Sequence, residues 1–156
     1  LPEYFNQVLQ SAGLDLGKVK LLRHQDKSST KGRTPYNLWR DDMEAFEWYQ
    51  ACQRQEHRAH LRAPYWASFV VTPANETLFV GVYQARFLEE LKWDTKQPHT
   101  DEIDKAGSCD VYETSKMPDF RDQEAQMVVE WGPGARAWIQ RADSKNKRII
   151  GVRKEI

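Results

Sequence analysis

The chain contains no run approaching the ~18 consecutive apolar residues that a membrane-spanning helix requires. Its opening, LPEYFNQVLQ, lacks the basic start and apolar stretch of a secretory signal. Cysteine is scarce: Cys52 and Cys109 are the only two, too few for a disulfide framework and suited to a reducing, cytoplasmic setting. Net charge is absent, because 23 basic residues face 23 acidic ones; a histone-like chain is excluded, and any pull toward nucleic acid must come from how the charges are arranged. Glycine-rich phosphate loops of the Walker or GxGxxG kind are missing, as is a GxSxG elbow, so neither a nucleotide cofactor nor a serine nucleophile is expected. Internal repeats and low-complexity tracts are missing too. What the chain does have is aromatic side chains: Trp, Tyr and Phe number six each in 156 residues, enough to fill the core of one domain. Leu1 rather than Met at the start points to a domain cut from a longer protein.

The neutral total hides a segregated pattern. Between Lys18 and Arg40 seven basic residues face one acid, a net of +6; between Gly134 and Lys154 seven again face one, another +6. Between Glu89 and Glu124 eleven acids outweigh five bases, a net of −6. Two basic blocks flanking an acidic one describe a two-sided molecule.

Period and punctuation place the elements. Tyr4, Phe5, Val8 and Leu9 are spaced as on a helix that Gly13 stops. KVKLLRH (18–24) reads as a strand, and Lys27 to Tyr36, with its Ser, Thr, Gly and Pro, as a loop. A second helix opens at Asp41 and Asp42 and runs to Cys52, acids first as the helix dipole prefers. YWASFVV (65–71) and TLFVGVYQARF (77–87) around TPANE form a hairpin of β-branched and aromatic residues. Further strands are expected at 110–114, 126–131, 135–142 and 148–154, with a polar loop over 94–107. Helices do not alternate with strands, so a doubly wound parallel sheet is excluded. The expectation is one α+β domain over 1–156: a helical part over about 1–62, a six- to seven-stranded, mostly antiparallel β-barrel over about 63–156, and strand 18–24 joining the barrel.

Catalytic and metal patterns are incomplete. Glu90-Leu91-Lys92 matches half of one nuclease signature, with Asp41 and Asp42 upstream; a metal-dependent nuclease is the rival reading, and a protein-interaction module a third. Cys52, His57 and His60 lie within nine positions, but structural zinc takes four ligands in tighter pairs, so no metal site is expected. Nucleic-acid chemistry is better represented. Arg23, His24, Gln25 and Asp26 leave a strand end together, and Arg, Gln and Asp are suited to guanine, adenine and cytosine edges. Alternation along an extended segment puts Arg23 and Gln25 on one face as readers and His24 and Asp26 behind them. Lys27, Lys31, Arg33 and Arg40 are the phosphate candidates of the first block, and Arg136 and Arg141 of the second. Tyr36, Trp39, Trp66 and Trp138 are available to stack on bases.

As a set, LLRHQD, KGRTPYNLWRDD, FEWYQ, YWASFVVTPANETLFVGVYQARF, HTDEIDKAGSCDVYE and WGPGARAWIQRAD resemble the N-terminal region of bacterial GIY-YIG nuclease family proteins, over about Gly17 to Ala142. Gly81-Val82-Tyr83 echoes the first half of the family motif, and no YIG follows at the expected spacing. The resemblance implies a recognition module for double-stranded DNA whose partner is a C-terminal nuclease domain, as in a restriction-type endonuclease. Its expected barrel is PUA-like, a class that includes readers of modified bases, or a pseudobarrel of the plant transcription-factor and restriction-effector kind.

Overall fold

A computed structural model describes residues 2–25, 33–92, 108–132, 137–144 and 146–152. Its elements run α1 (Phe5–Ser11), β1 (Val19–His24), α2 (Pro35–Asp41), α3 (Met43–Ala51), β2 (Cys52–Arg54), β3 (Tyr65–Val71), β4 (Thr77–Lys92), β5 (Ser108–Lys116), β6 (Met127–Glu130), β7 (Ile139–Arg141) and β8 (Arg148–Val152). The class is α+β, with three helices and a curled, mixed sheet that forms a half-barrel. The sheet runs β2-β5-β4-β3-β1-β7, and β6 joins β4 to β8. Most pairs are antiparallel, but β1 and β3 are parallel, from Val19↔Tyr65 to His24↔Val70. The chain reaches that pairing through the helical segment between them, as a parallel connection requires.

Both faces of the sheet are covered around β1, β3, β6 and the first half of β4. Inward-facing Val19, Leu21, Ala67, Phe69, Phe79, Met127 and Val129 close on Phe5, Val8 and Leu9 of α1, which plugs the curl. On the outer face Val70, Leu78, Val80 and Val128 meet Tyr36 and Leu38 of α2 and Ala45 and Phe46 of α3. A strand buried on both faces needs no polar alternation, and for that reason YWASFVV is nearly all apolar.

The 35–41 helix overturns the loop reading at its end. Thr34 accepts from the Asn37 backbone N–H at 3.1 Å, and Pro35 takes the first helical position, where its missing N–H costs nothing. Helix α2 then stops where Asp42 caps α3. Strand β2 was not expected, and β4 runs five residues past the expected end at 87, because its second half pairs with β5 in a ribbon. Of the expected strand 135–142, residues 137–142 are described and 139–141 form β7.

Gly81 sits at a φ of +148° beside a register shift between Ser68 and Phe69. A Cβ there would lie 3.2 Å from the Lys116 Cδ, a crowding that adds to the backbone's demand for glycine. The bulge reverses the phase of β4. Val82 therefore joins the inner core, while Tyr83 reaches outward and donates to the Glu47 Oε2 at 3.0 Å. Burial, and then the Glu47 carboxylate, push the Tyr83 phenol above its ordinary value of 10.0. With the folded-state value raised, this contribution to stability is complete below the unfolded-state value and is lost as pH rises beyond it. Urea titrations from about pH 8 to pH 12 should show stability falling above about pH 10, with a shallower fall in Tyr83→Phe.

Candidate nucleic-acid interface

Strand direction decides which loops meet. The Arg23 N–H donates to the Trp138 carbonyl at 2.8 Å, so the exit of β1 lies beside the entry to β7. Strand β3 runs parallel to β1, which brings the Thr72–Glu76 turn to the same end. Glu130, at the end of β6, faces Arg148, at the start of β8. One end of the half-barrel thus collects the exits of β1, β3 and β6 and the entries of β4, β7 and β8.

At this end Arg23 points into the mouth of the curl. Its Nε donates to the Thr77 Oγ1 at 3.0 Å, and its guanidinium carbon stands 6.0 Å from the centre of the Trp131 ring. Burial lowers its pKa below the ordinary arginine value. Among the described residues it makes no ion pair, so its two terminal nitrogens remain open as a fork. Trp131 is held from its other sides: its indole N–H donates to the Ala137 carbonyl at 3.2 Å, and the Lys147 Nζ lies 4.1 Å from the ring centre while donating to the Trp131 carbonyl at 2.6 Å. Lys147 is buried beneath the indole, whereas Arg23 is half-buried at its edge, and partly desolvated positive charge attracts an anion more strongly than charge spread in water.

His24 and Trp138 belong to the outer side. His24 is 3 % exposed; its Nε2 and the Gln50 Oε1 are 2.9 Å apart, and its ring meets Phe46, Tyr49 and Trp138. Gln50 also accepts from the Ser68 hydroxyl. His24 therefore braces the strand exit against α3, while half-buried Gln25 follows at the surface. Half-buried Trp138 is flanked by His24 and His57. Trp66 is 0 % exposed, donating to the Leu61 carbonyl at 3.1 Å and packing against Tyr112; its ring offers no open face for stacking. Tyr36 is buried, with Trp39 beside it and the Arg40 guanidinium donating to its hydroxyl at 3.3 Å. Arg33 pairs with Asp42 at 3.5 Å. Arg141 pairs with Asp143 and faces Lys20, away from the Arg23 end. Asp26, Lys27, Lys31 and Arg136 lie outside the described residues.

No family model, curated protein or solved structure matches the chain.

The acids described on the β4–β5 ribbon sit elsewhere. Phe87, Glu89 and Glu90 of β4 and Asp110 and Glu113 of β5 lie on the ribbon beyond the Tyr65↔Gln84 pair, at the opposite end from Arg23. There Arg58 holds the fully buried Asp110 through two bonds of 2.7 and 2.5 Å, reaches Glu90 at 2.6 Å, and stacks 4.9 Å from the Phe87 centroid. Bonds to Asp110 and then to Glu90 raise its pKa further. An open cavity of about 570 Å³ lies beside it, bounded by Leu61, Arg62, Pro64 and Tyr112. Trp131, Lys147 and this arginine–aromatic wall were not singled out from sequence. Trp131 reads as the edge of a Gly-Pro-Gly turn, and Arg58 and Asp110 are 52 positions apart.

Two acids of the nuclease reading, Glu90 and Asp42, have other partners. Glu90 is bound by Arg58, and Asp42 caps α3 by accepting from the Ala45 N–H at 3.2 Å. Among the described residues no three or more His, Cys, Asp or Glu are grouped to hold a metal ion, and no helix is long and apolar enough to cross a membrane. A capping role makes a definite forecast. Asp42→Ala should cost about 1 kcal/mol in urea unfolding, whereas Asp42→Asn, which still caps, should cost little.

Proposed function

We propose that this chain is a DNA-recognition domain, one that positions a separate nuclease domain on double-stranded DNA, as the resemblance to the N-terminal region of GIY-YIG family proteins implies. The observation that carries the reading is the convergence at the Arg23 end. The backbone bond from Arg23 to Trp138 joins one residue from each basic stretch of the sequence, and the half-buried Arg23 fork there has no acidic partner among the described residues. A phosphate, or the O6/N7 edge of a guanine, is the complement of that fork. Trp131, Lys147 and Arg148 continue the site, while the acidic ribbon lies at the far end, where it does not repel the duplex. On this reading the half-barrel is of the PUA-like or pseudobarrel kind and grips DNA with loops at one mouth.

The test is binding of the chain to random and base-modified duplexes across a salt series. Binding should weaken as salt rises, with a log–log slope on the order of −3 if three or four phosphates are contacted. Plasmid incubated with magnesium or manganese should remain intact. Absence of salt-sensitive binding on every duplex would remove the reading, and nicking lost in Asp42→Ala would transfer it to the nuclease alternative.

A further inference from the structure

We propose that Cys52 and Cys109 are a built-in oxidation site that closes to an intramolecular disulfide with a peroxide, clamping the end of α3 to the acidic ribbon. Their sulfur atoms lie 2.7 Å apart, and both residues are 0 % exposed. The strand register accounts for the meeting. Cys52 faces Val111 and Arg54 faces Cys109 across β2 and β5, so the two cysteines share a face as diagonal neighbours, a cross-strand relation still within side-chain reach. Trp48 and Tyr49 of α3 pack over the pair together with Val111. The sulfurs are thus held within reach of each other beneath Trp48 and Tyr49, and a bond between them needs only a small approach to the usual S–S separation.

The chemistry balances with hydrogen peroxide as the oxidant. One cysteine, as thiolate, attacks a peroxide oxygen and breaks the O–O bond, forming a sulfenic acid and releasing hydroxide. The other sulfur then attacks the sulfenic sulfur, the S–O bond breaks, and the departing oxygen leaves as water after taking up a proton. In sum, two thiols and one hydrogen peroxide become one disulfide and two waters. Strand β2 has three residues and lies at the end of the sheet order, so the small oxidant reaches the pair by local opening at that edge. In a reducing compartment the pair rests as dithiol and closes when peroxide rises. Once closed, the bond ties together positions 57 residues apart, and restricting so long a loop in the unfolded chain favours the folded one.

The experiment compares reduced and peroxide-treated wild-type chain, each unfolded in denaturant with an alkylating agent and weighed intact. The reduced chain should take two alkyl groups; the treated chain should take none, weigh less by two hydrogens than the unalkylated reduced form, and recover both sites with dithiothreitol. The treated chain should also melt higher by roughly 5–10 °C, a difference absent in Cys52→Ala and Cys109→Ala. Two alkyl groups after treatment, oxygen added to sulfur, or a disulfide between chains would each overturn the proposal. An internal bond with an unchanged Tm would overturn the clamp. The alkylation result requires no variant, so poor folding of either substitution leaves the test intact.

Discussion

Phe5→Ala should destabilise the chain by about 3–5 kcal/mol and lower its Tm by roughly 10 °C. Phe5 is fully buried, and its ring centre lies 5.0 Å from that of Phe69 and 5.1 Å from that of Phe79. It belongs to the buried face of a seven-residue helix, far too short to be stable without tertiary packing. Its backbone N–H also donates to the Lys147 carbonyl at 2.8 Å, so loss of the ring loosens the segment that brings Lys147 to Trp131. Tyr4→Ala, at an exposed neighbouring ring, should stay within about 0.5 kcal/mol of the parent. Urea unfolding of the two variants checks the contrast. Equal losses would mean that α1 lies against the curl without holding it together.

Arg23→Ala should weaken duplex binding by about tenfold to a hundredfold while leaving the chain folded. The two terminal nitrogens of the fork are the donors at stake, since the Nε is already committed to Thr77. Arg23→Lys keeps the charge and loses the fork, so it should recover only part of the affinity. If the fork holds a phosphate, affinity falls alike on all duplexes and the salt slope shrinks by about one. If it reads a base, the preference between duplexes relaxes instead. His24→Ala should behave differently. With its contacts to Gln50, Phe46 and Tyr49 lost, melting should drop and the preference between duplexes should persist. Retention of parent affinity and slope by folded Arg23→Ala would leave the Arg23–Trp131 contact a purely structural one.

Legibility varied with the range of the interaction. The 65–71 and 77–87 hairpin could be read because a β-branched run, a turn and a second run are neighbours in sequence. The 35–41 helix was hidden because Ser, Thr, Gly and Pro upstream favour a loop, although Thr34-Pro35 is also a helix-start pair. The reach of β4 to Lys92 was hidden because Glu89 and Glu90 look like the polar end of a strand, whereas cross-strand pairing with β5 carries it on. Stacking on Trp66 was expected from its polar flanks in sequence, and burial of the ring depends on Leu61 and Tyr112 arriving from elsewhere.

By itself the sequence determined the α+β class, the apolar strands, the absence of a long apolar helix and the division into basic and acidic blocks, because composition, period and capping act over a few neighbouring residues. Only the tertiary structure decided that β1 lies between β3 and β7, that Arg23 meets Trp138 and Trp131, and that Cys52 meets Cys109. Those meetings join residues tens of positions apart, and which distant strands pair is settled by burying both faces of one sheet at once against the entropy of closing the loops between them.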